Sequence, residues 1–423
     1  MRFVHHSDSS RRALLGYCLN LHPAHTLEEF LARTAAVAVP LRERLGCKGR
    51  FGVGPWMGAT LVAELLANPI AFARLVAFFR DAQLEPYTWN AFPYGEFHAA
   101  GVKTRVFEPR WSAPERAAYT VGVAELALRL ADELDPDPDE RAHISISTHT
   151  GGHSTVWTAV DAAQASGLLD NVVRKLAKLS IVHGRRVRLG LEPEPRANLS
   201  TQTELRAWWN DLRNELRARP DSLTWLATYA THLGSCLDLC HSAVEFEEDP
   251  LAALDSANTG GVPIVKVQIT NALRLLRPGD HPRAVEALLA LDEPRWLHQT
   301  NARRGSTVLH AHDLPQVRAA LAGPERAAWL EADEWRTHFH VPVDLDRTAG
   351  GLTTTFELTR RTLEGLLAQS AHEDLHLEIE TYTWDAWGAA SPNSTPEAAL
   401  VSGLEGEYRA VLPLFEAQGW LST

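Results

Sequence analysis

Four short runs of this chain alternate apolar and polar side chains, and that alternation constrains the fold more than any other feature. In RVRLGLEPEP, Val187, Leu189 and Leu191 share one face, and Arg188, Gly190, Glu192 and Glu194 share the other. In SCLDLCH, Leu237 and Leu239 oppose Cys236, Asp238 and Cys240. In VKVQIT, Val265, Val267 and Ile269 oppose Lys266, Gln268 and Thr270, and in LHLEIETYTW, Leu375, Leu377 and Ile379 oppose His376, Glu378, Glu380 and Tyr382. A parallel sheet covered by helices on both faces reads as apolar throughout. A closed barrel resolves the conflict, because apolar residues then face a ring of helices and polar residues face the axis. The plainer alternative is an open sheet with one solvated face. Inside a barrel, the carboxylates need partners, water or a cation, since an unpaired buried charge costs several kcal/mol or neutralises itself.

The rest of the chain fits this reading. Strands are expected at Tyr17–Leu21, Arg50–Gly54, Pro86–Ala91, His143–Thr148, Arg186–Glu192, Ser235–Cys240, Ile264–Ile269 and His376–Thr381, with a ninth extended piece at Thr337–Val341. Helical patterns lie between them. Capping boxes are expected at Thr26…Glu29, Ser112…Glu115, Thr201…Glu204 and Ser394…Glu397. Strand–helix alternation implies parallel strands joined by right-handed crossovers. Eight such units predict an α/β fold of the (β/α)8 TIM-barrel type, a single domain over residues 1–423. The stretch from about 271 to 336 is too long for one helix and is expected to form an excursion over the barrel mouth. The acidic run around Asp135–Asp139 reads as a solvated connection.

A net charge of −12 and a pI near 5.9 work against tight binding of a phosphate backbone, so no nucleic-acid partner is expected. Four scattered cysteines (Cys18, Cys47, Cys236 and Cys240) are too few for a disulfide scaffold and suit a reducing cytoplasm. No run of 18 uncharged apolar residues occurs, so no membrane span is expected.

The acids are placed tellingly. Glu192, Asp238 and Glu380 lie at or near strand C-termini, the rim where barrel enzymes carry their active sites. Pro193 and Pro195 halt the strand just after Glu192. Asp238-x-x-His241 can direct a carboxylate and an imidazole at one ion, and His338 and His340 share a face in HFHVPV. Carboxylates and imidazoles together suit Zn²⁺ or Mn²⁺ better than Ca²⁺ or Mg²⁺. The bland alternative is a polar core in which Lys266, Arg188 and Arg336 neutralise the acids. His22 and His98 follow strands and can reach the pocket, and His298 sits on the excursion where it can cap it. Trp56, Trp89, Tyr94 and Tyr382 can wall it against a ring or polyprenyl-like ligand. Cys236 and Cys240 read as small buried residues.

LGLEPEP, CLDLCH, KVQIT, HFHVPV and LEIETYTW resemble the xylose isomerase-like TIM-barrel superfamily, which includes sugar isomerases, ketose epimerases and endonuclease IV. With NLHP, WNAFPYGEFH, VKTRVFEPRW and DEPRWLHQ they resemble the EboE metabolite-traffic family of the ebo gene cluster, from Gly16 to about Trp387. The resemblance implies one divalent metal held by Glu192, Asp238, a residue of KVQIT and Glu380. That residue is Gln268 here, where the epimerases carry histidine. His241 matches the endonuclease-like Asp-x-x-His, and His340 matches its Asp-x-His with His338 in place of the acid, so His340 can supply the missing imidazole. In a catalytic site, Glu192 and Glu380 form the acid/base pair and Lys266 stabilises a developing oxyanion. His22, His98, Glu194, His338 and Tyr382 are the expected substrate contacts.

Three functions compete. The first is a metal-dependent isomerase, epimerase or lyase acting on a small metabolite, of which a sugar isomerase of central metabolism is one form. The second is an accessory barrel that supports export of a secondary-metabolite precursor with other proteins of the ebo cluster. The third, and weakest, is endonuclease IV-like DNA repair, which needs three metal ions and a basic groove.

Overall fold

The computed structural model describes residues 1–136, 142–255, 258, 260–348, 350–369, 374–387 and 395–423. Its first sheet takes β1 (Arg2–His5), β2 (Asp8–Cys18), β3 (Phe51–Gly54), β4 (Leu84–Glu85), β5 (Thr88–Asn90), β6 (His143–His149), β7 (Arg186–Glu192), β8 (Leu233–Asp238) and β9 (Ile264–Ile269). A second, antiparallel sheet follows: β10 (Asn271–Leu276), β11 (Thr300–Arg304), β12 (Thr307–Ala311), β13 (Glu334–Val341) and β14 (Thr353–Thr354). The chain then returns to the first sheet with β15 (Leu375–Ile379) and β16 (Trp420–Ser422).

The first sheet has eleven strands in the order β16-β1-β2-β15-β9-β8-β7-β6-β5, with β3 joined to β2 and β4. All pairs from β2 onward are parallel, while β1 pairs antiparallel with β2 and β16. The sheet is strongly curled. His143 on β6 stacks on His376 on β15 with ring centroids 3.9 Å apart, although three strands (β9, β8 and β7) separate them along the sheet. Tyr87 likewise donates its hydroxyl proton to the Leu377 carbonyl of β15.

The faces divide as the alternation predicts. Val187, Leu189, Leu191, Leu237, Val267, Ile269, Leu377 and Ile379 join the main core, packed against the helices. On the concave side Arg188, Cys236, Asp238, Lys266, Gln268, His376 and Glu378 are all buried. Glycine is needed at one crowded point, because a Cβ on Gly54 would lie 1.9 Å from Glu378 Oε2.

Several strand ends depart from expectation for local reasons. Tyr17 and Cys18 finish a longer strand, whose polar first half pairs with β1, and Leu19–Leu21 form a 3-10 turn. Pro86 has no N–H to give a ladder, so β4 ends before it and the expected strand Pro86–Ala91 shortens to β5. The expected strand Ser235–Cys240 stops at Asp238, which instead caps helix Leu239–Val244 by accepting from the His241 N–H.

Thr26 and Glu29 form their box, and Thr201 accepts from the Glu204 N–H. Ser112 does not cap a helix. Its hydroxyl donates to Asp161, which forms a box with Thr158 at the start of helix Ala159–His183. Ser394 and residues 137–139 of the acidic run lie outside the described residues. Among the described residues no single helix is long and apolar enough to cross a membrane; Ala59–Ala67 and Pro69–Asp81 pass that test only as a pair bent by 104°.

The excursion is a folded unit. Its sheet runs β12-β11-β13-β10-β14 and has its own core, including Leu273, Leu288, Trp329, Trp335 and Phe339. It extends past residue 336 to Thr354, because Thr337–Val341 is the second half of β13, flanked by β10 and β11. Only Thr270 separates β9 from β10, so the unit leaves the first sheet at its C-terminal edge.

Candidate metal centre

Three carboxylates meet at that edge. Glu192 ends β7 before Pro193, Asp238 ends β8, and Glu380 follows β15 with its N–H bonded to the Ile269 carbonyl at 3.1 Å. Their oxygens lie within 4.8 Å of one another. Glu192 Oε2, Asp238 Oδ2 and Glu380 Oε2 are buried with no hydrogen-bond partner. Their only ion-pair partners among the described residues are histidines. The neutralising arginines of the bland reading are elsewhere: Arg336 pairs with Glu334 and Glu248, and Arg188 donates to the Thr231 carbonyl.

Burial and mutual repulsion therefore govern the charges. Burial, reinforced by Asp238, pushes the Glu192 pKa well above the carboxylate range, and Glu380 is raised by burial and by Glu192. Burial also lifts Asp238 to about 7 and Glu194 to about 8.

Three imidazoles complete the cluster. His241 stands one helical turn from Asp238, and β13 carries His338 and His340 in from the antiparallel unit. His241 Nε2 lies 3.2 Å from His338 Nε2 and 3.4 Å from His340 Nε2. The protons can be assigned from the partners of the other ring nitrogens. His241 Nδ1 faces the Pro193 carbonyl at 3.0 Å and His340 Nδ1 faces the Glu380 carbonyl at 3.0 Å, and a carbonyl only accepts. His338 Nδ1 faces Gln299 Oε1 at 2.6 Å; Gln299 is oriented by its Nε2, which donates to the Pro195 carbonyl at 2.9 Å. Each Nδ1 thus carries the proton, and the His241 Nε2 lone pair faces those of His338 and His340. Neutral imidazoles cannot bond in that arrangement, and burial holds the His340 pKa down at about 3.

The donor set fits a divalent metal. Ligand nitrogens at about 2.0–2.1 Å from a tetrahedral ion stand about 3.3 Å apart. Donor triads form from Asp238, His241 and His340, from Glu194, His241 and His338, and from Glu192, Asp238 and Glu380; Cys240 makes a fourth with His338 and His340. The Nδ1–carbonyl bonds are the outer contacts that orient metal-bound histidines.

Other expected site residues are placed differently. Lys266, the expected oxyanion stabiliser, pairs with Glu378 and lies 3.3 Å from the Trp89 carbonyl, off the cavity lining. Burial works against its ammonium, but Glu378 outweighs that and holds the pKa above the ordinary value. Gln268, the expected ligand, accepts from the Cys236 thiol at 3.1 Å and does not line the cavity. His22 and His98 are also off the lining. His22 bonds the Tyr17 hydroxyl, and His98 donates to the Asn20 carbonyl at 2.6 Å; Asn20 in turn donates to Glu380 Oε1 at 2.5 Å. His98 thus supports Glu380 through Asn20. Glu194, His338 and Tyr382 do line the cavity. His298 stacks on Phe339 at 3.6 Å and bonds the His338 carbonyl, so it braces β13.

Of the expected aromatic wall only Tyr382 lines the cavity, whose empty space, counting what is open to solvent, is about 510 Å³. Trp56 stands behind Phe97, Trp89 is in the main core, and Tyr94 packs on Tyr119. Asn20, Gln299 and Trp296 lie within NLHP and DEPRWLHQ, but no local pattern singles them out, since their partners are remote in the chain. His149 was findable, because it continues the inward face of Ser145 and Ser147 and stands in register with Glu192.

No family model matches the chain, and no curated protein matches it, so neither comparison supports membership of the EboE family. Among solved structures, the apo form of the 3-keto-D-glucoside 4-epimerase YcjR from E. coli is similar at 14% identity. The match covers 60% of this chain and 79% of that one with a TM-score of 0.34, too slight a likeness to carry a function.

Proposed function

We propose that this protein is a metal-dependent barrel holding two or more divalent ions, Zn²⁺ or Mn²⁺, and acting on a small metabolite at its strand C-termini. The proton-free Nε2 of His241, facing those of both His338 and His340 beside the buried acids, carries the proposal. Glu192, Glu194, Asp238, His241, His338, His340 and Glu380 are seven donors, more than the four a tetrahedral ion takes, and Asp238 belongs to two of the triads. Full (β/α)8 closure is part of the proposal. It is supported by pairing of β3 with β4 and of β5 with β6 on either side of Pro86 and Tyr87, and by the bridge between Trp56 and Asn90. Residues 1–423 then form one domain, with the antiparallel unit as an excursion over the mouth.

When bound, such ions polarise a substrate carbonyl or hydroxyl. The chain's own residues supply the proton handling. In the metal-free chain burial raises the pKa of Glu192 and of Glu380, and both lie on the cavity, so whichever is not ligating can hold or release a proton at Oε2 as an isomerase or epimerase requires. Asn20 fixes the other oxygen of Glu380. The endonuclease reading gains from the multi-ion donor set but lacks a basic lining: Lys103 is the cavity's one permanent cation among the described residues, and it pairs with Asp313 at 2.7 Å. The resemblance to EboE adds a finer proposal, that a cytoplasmic protein handles a secondary-metabolite precursor and supports its export with ebo-cluster partners.

Metal analysis of the reconstituted protein tests the core of this. At least two equivalents per chain are expected. His338→Ala/His340→Ala should lose about one of them, and Asp238→Asn should lower both affinities by about 10-fold or more. One equivalent or none in a folded protein rejects the reading. Glu192→Gln and Glu380→Gln should each lower turnover by about 10²-fold or more. If export still complements in these variants with metal retained, the role is accessory.

A further inference from the structure

The cavity keeps its polar groups at the floor and carbon on its walls. Above the metal donors, Phe97, Trp296 and Tyr382 contact one another with ring centroids 5.1, 5.2 and 5.7 Å apart. Tyr382 lies 4.4 Å from the ring of His340, joining this wall to the metal donors. The polar handles of these rings are taken up by the protein or turned toward the metal donors. Trp296 Nε1 donates to the Phe97 carbonyl at 3.0 Å, and the Tyr382 hydroxyl turns toward His338 Nε2 at 3.5 Å. At the floor Asn90 Oδ1 accepts from the Phe92 N–H at 2.8 Å and Asn20 Nδ2 is committed to Glu380, so the Asn20 donor is not offered to a ligand.

We propose that the ligand is a compact molecule with two or more chelating oxygens at one end and a flat apolar or aromatic body at the other. This rests on the metal reading above. A free sugar buries several hydroxyls, each needing a partner that these walls do not provide. A phosphate ester would find no side-chain cation free to pair with it beyond the metal, because Lys103 is paired with Asp313 at 2.7 Å. A flat body instead gains from burial and from edge-to-face contact with the three rings.

The probes are acetohydroxamate and benzohydroxamate, which share one chelating head and differ only in body. On the zinc-loaded full chain, benzohydroxamate is expected to bind about tenfold tighter or better by calorimetry. Glucose 6-phosphate should displace neither. Trp296→Ala should cut the preference to about threefold or less with zinc content unchanged, and Trp296→Leu, which keeps an apolar filler, should cut it partway. Equal affinity of the two hydroxamates on zinc-loaded protein overturns this proposal and leaves the metal reading standing. Failure to take up zinc overturns both.

Discussion

Stripped of metal, the protein should lose stability steeply as pH rises from about 6.5 to 8.5, and metal should abolish that slope. Asp238 and Glu194 have folded pKa values raised to about 7 and about 8, against about 3.9 and 4.3 in an unfolded chain. A raised acid stabilises the fold fully below its unfolded pKa and loses that contribution as pH climbs through the folded pKa. The buried histidines act oppositely. His340, held at about 3, adds stability as pH rises toward about 6.5 and nothing beyond it. Above that point only the acids remain, and each one still protonated in the folded chain but ionised in the unfolded chain costs about 1.4 kcal/mol per pH unit until pH passes its folded pKa. A bound cation prefers the ionised acids, so it removes the slope and adds about 4 kcal/mol at a thousandfold excess over Kd. Chemical denaturation of stripped and zinc-loaded protein at four pH values checks this; parallel curves for the two forms contradict it.

Lys266→Met should destabilise the protein by about 3–5 kcal/mol. The ammonium and the Glu378 carboxylate are both fully buried, so removing one leaves the other charged and alone, or forces its protonation. Glu378 cannot move toward β3, because it packs against the bare backbone of Gly54. Replacing both charges removes the orphan, so Lys266→Met/Glu378→Met should recover most of the loss. Urea midpoints of the single and double variants measure both. A single variant within about 1 kcal/mol of the parent would show that water or a neighbour compensates the charge.

Which positions face inward was legible because side-chain direction in a strand is local: Glu192 and Asp238 followed from the period of two, and Glu380 from its place after LHLEI. The same logic placed Lys266 inward but could not say what it meets. Its partner Glu378 stands on the next strand only because β9 and β15 become neighbours, with more than a hundred residues of chain between them. Gln268 shows the same limit, since its oxygen is taken by Cys236 across the β8–β9 pair.

By itself, the sequence determined the curl's polar interior and the acids at its rim, since alternation and proline stops act within a few residues. Only the tertiary structure decided the metal donor set and the cavity walls. β13 brings His338 and His340 to Asp238 and His241 from about a hundred residues away, and Trp296 meets Phe97 across about two hundred. Those meetings depend on how an antiparallel unit leaves a parallel sheet, a global packing result that no local period encodes.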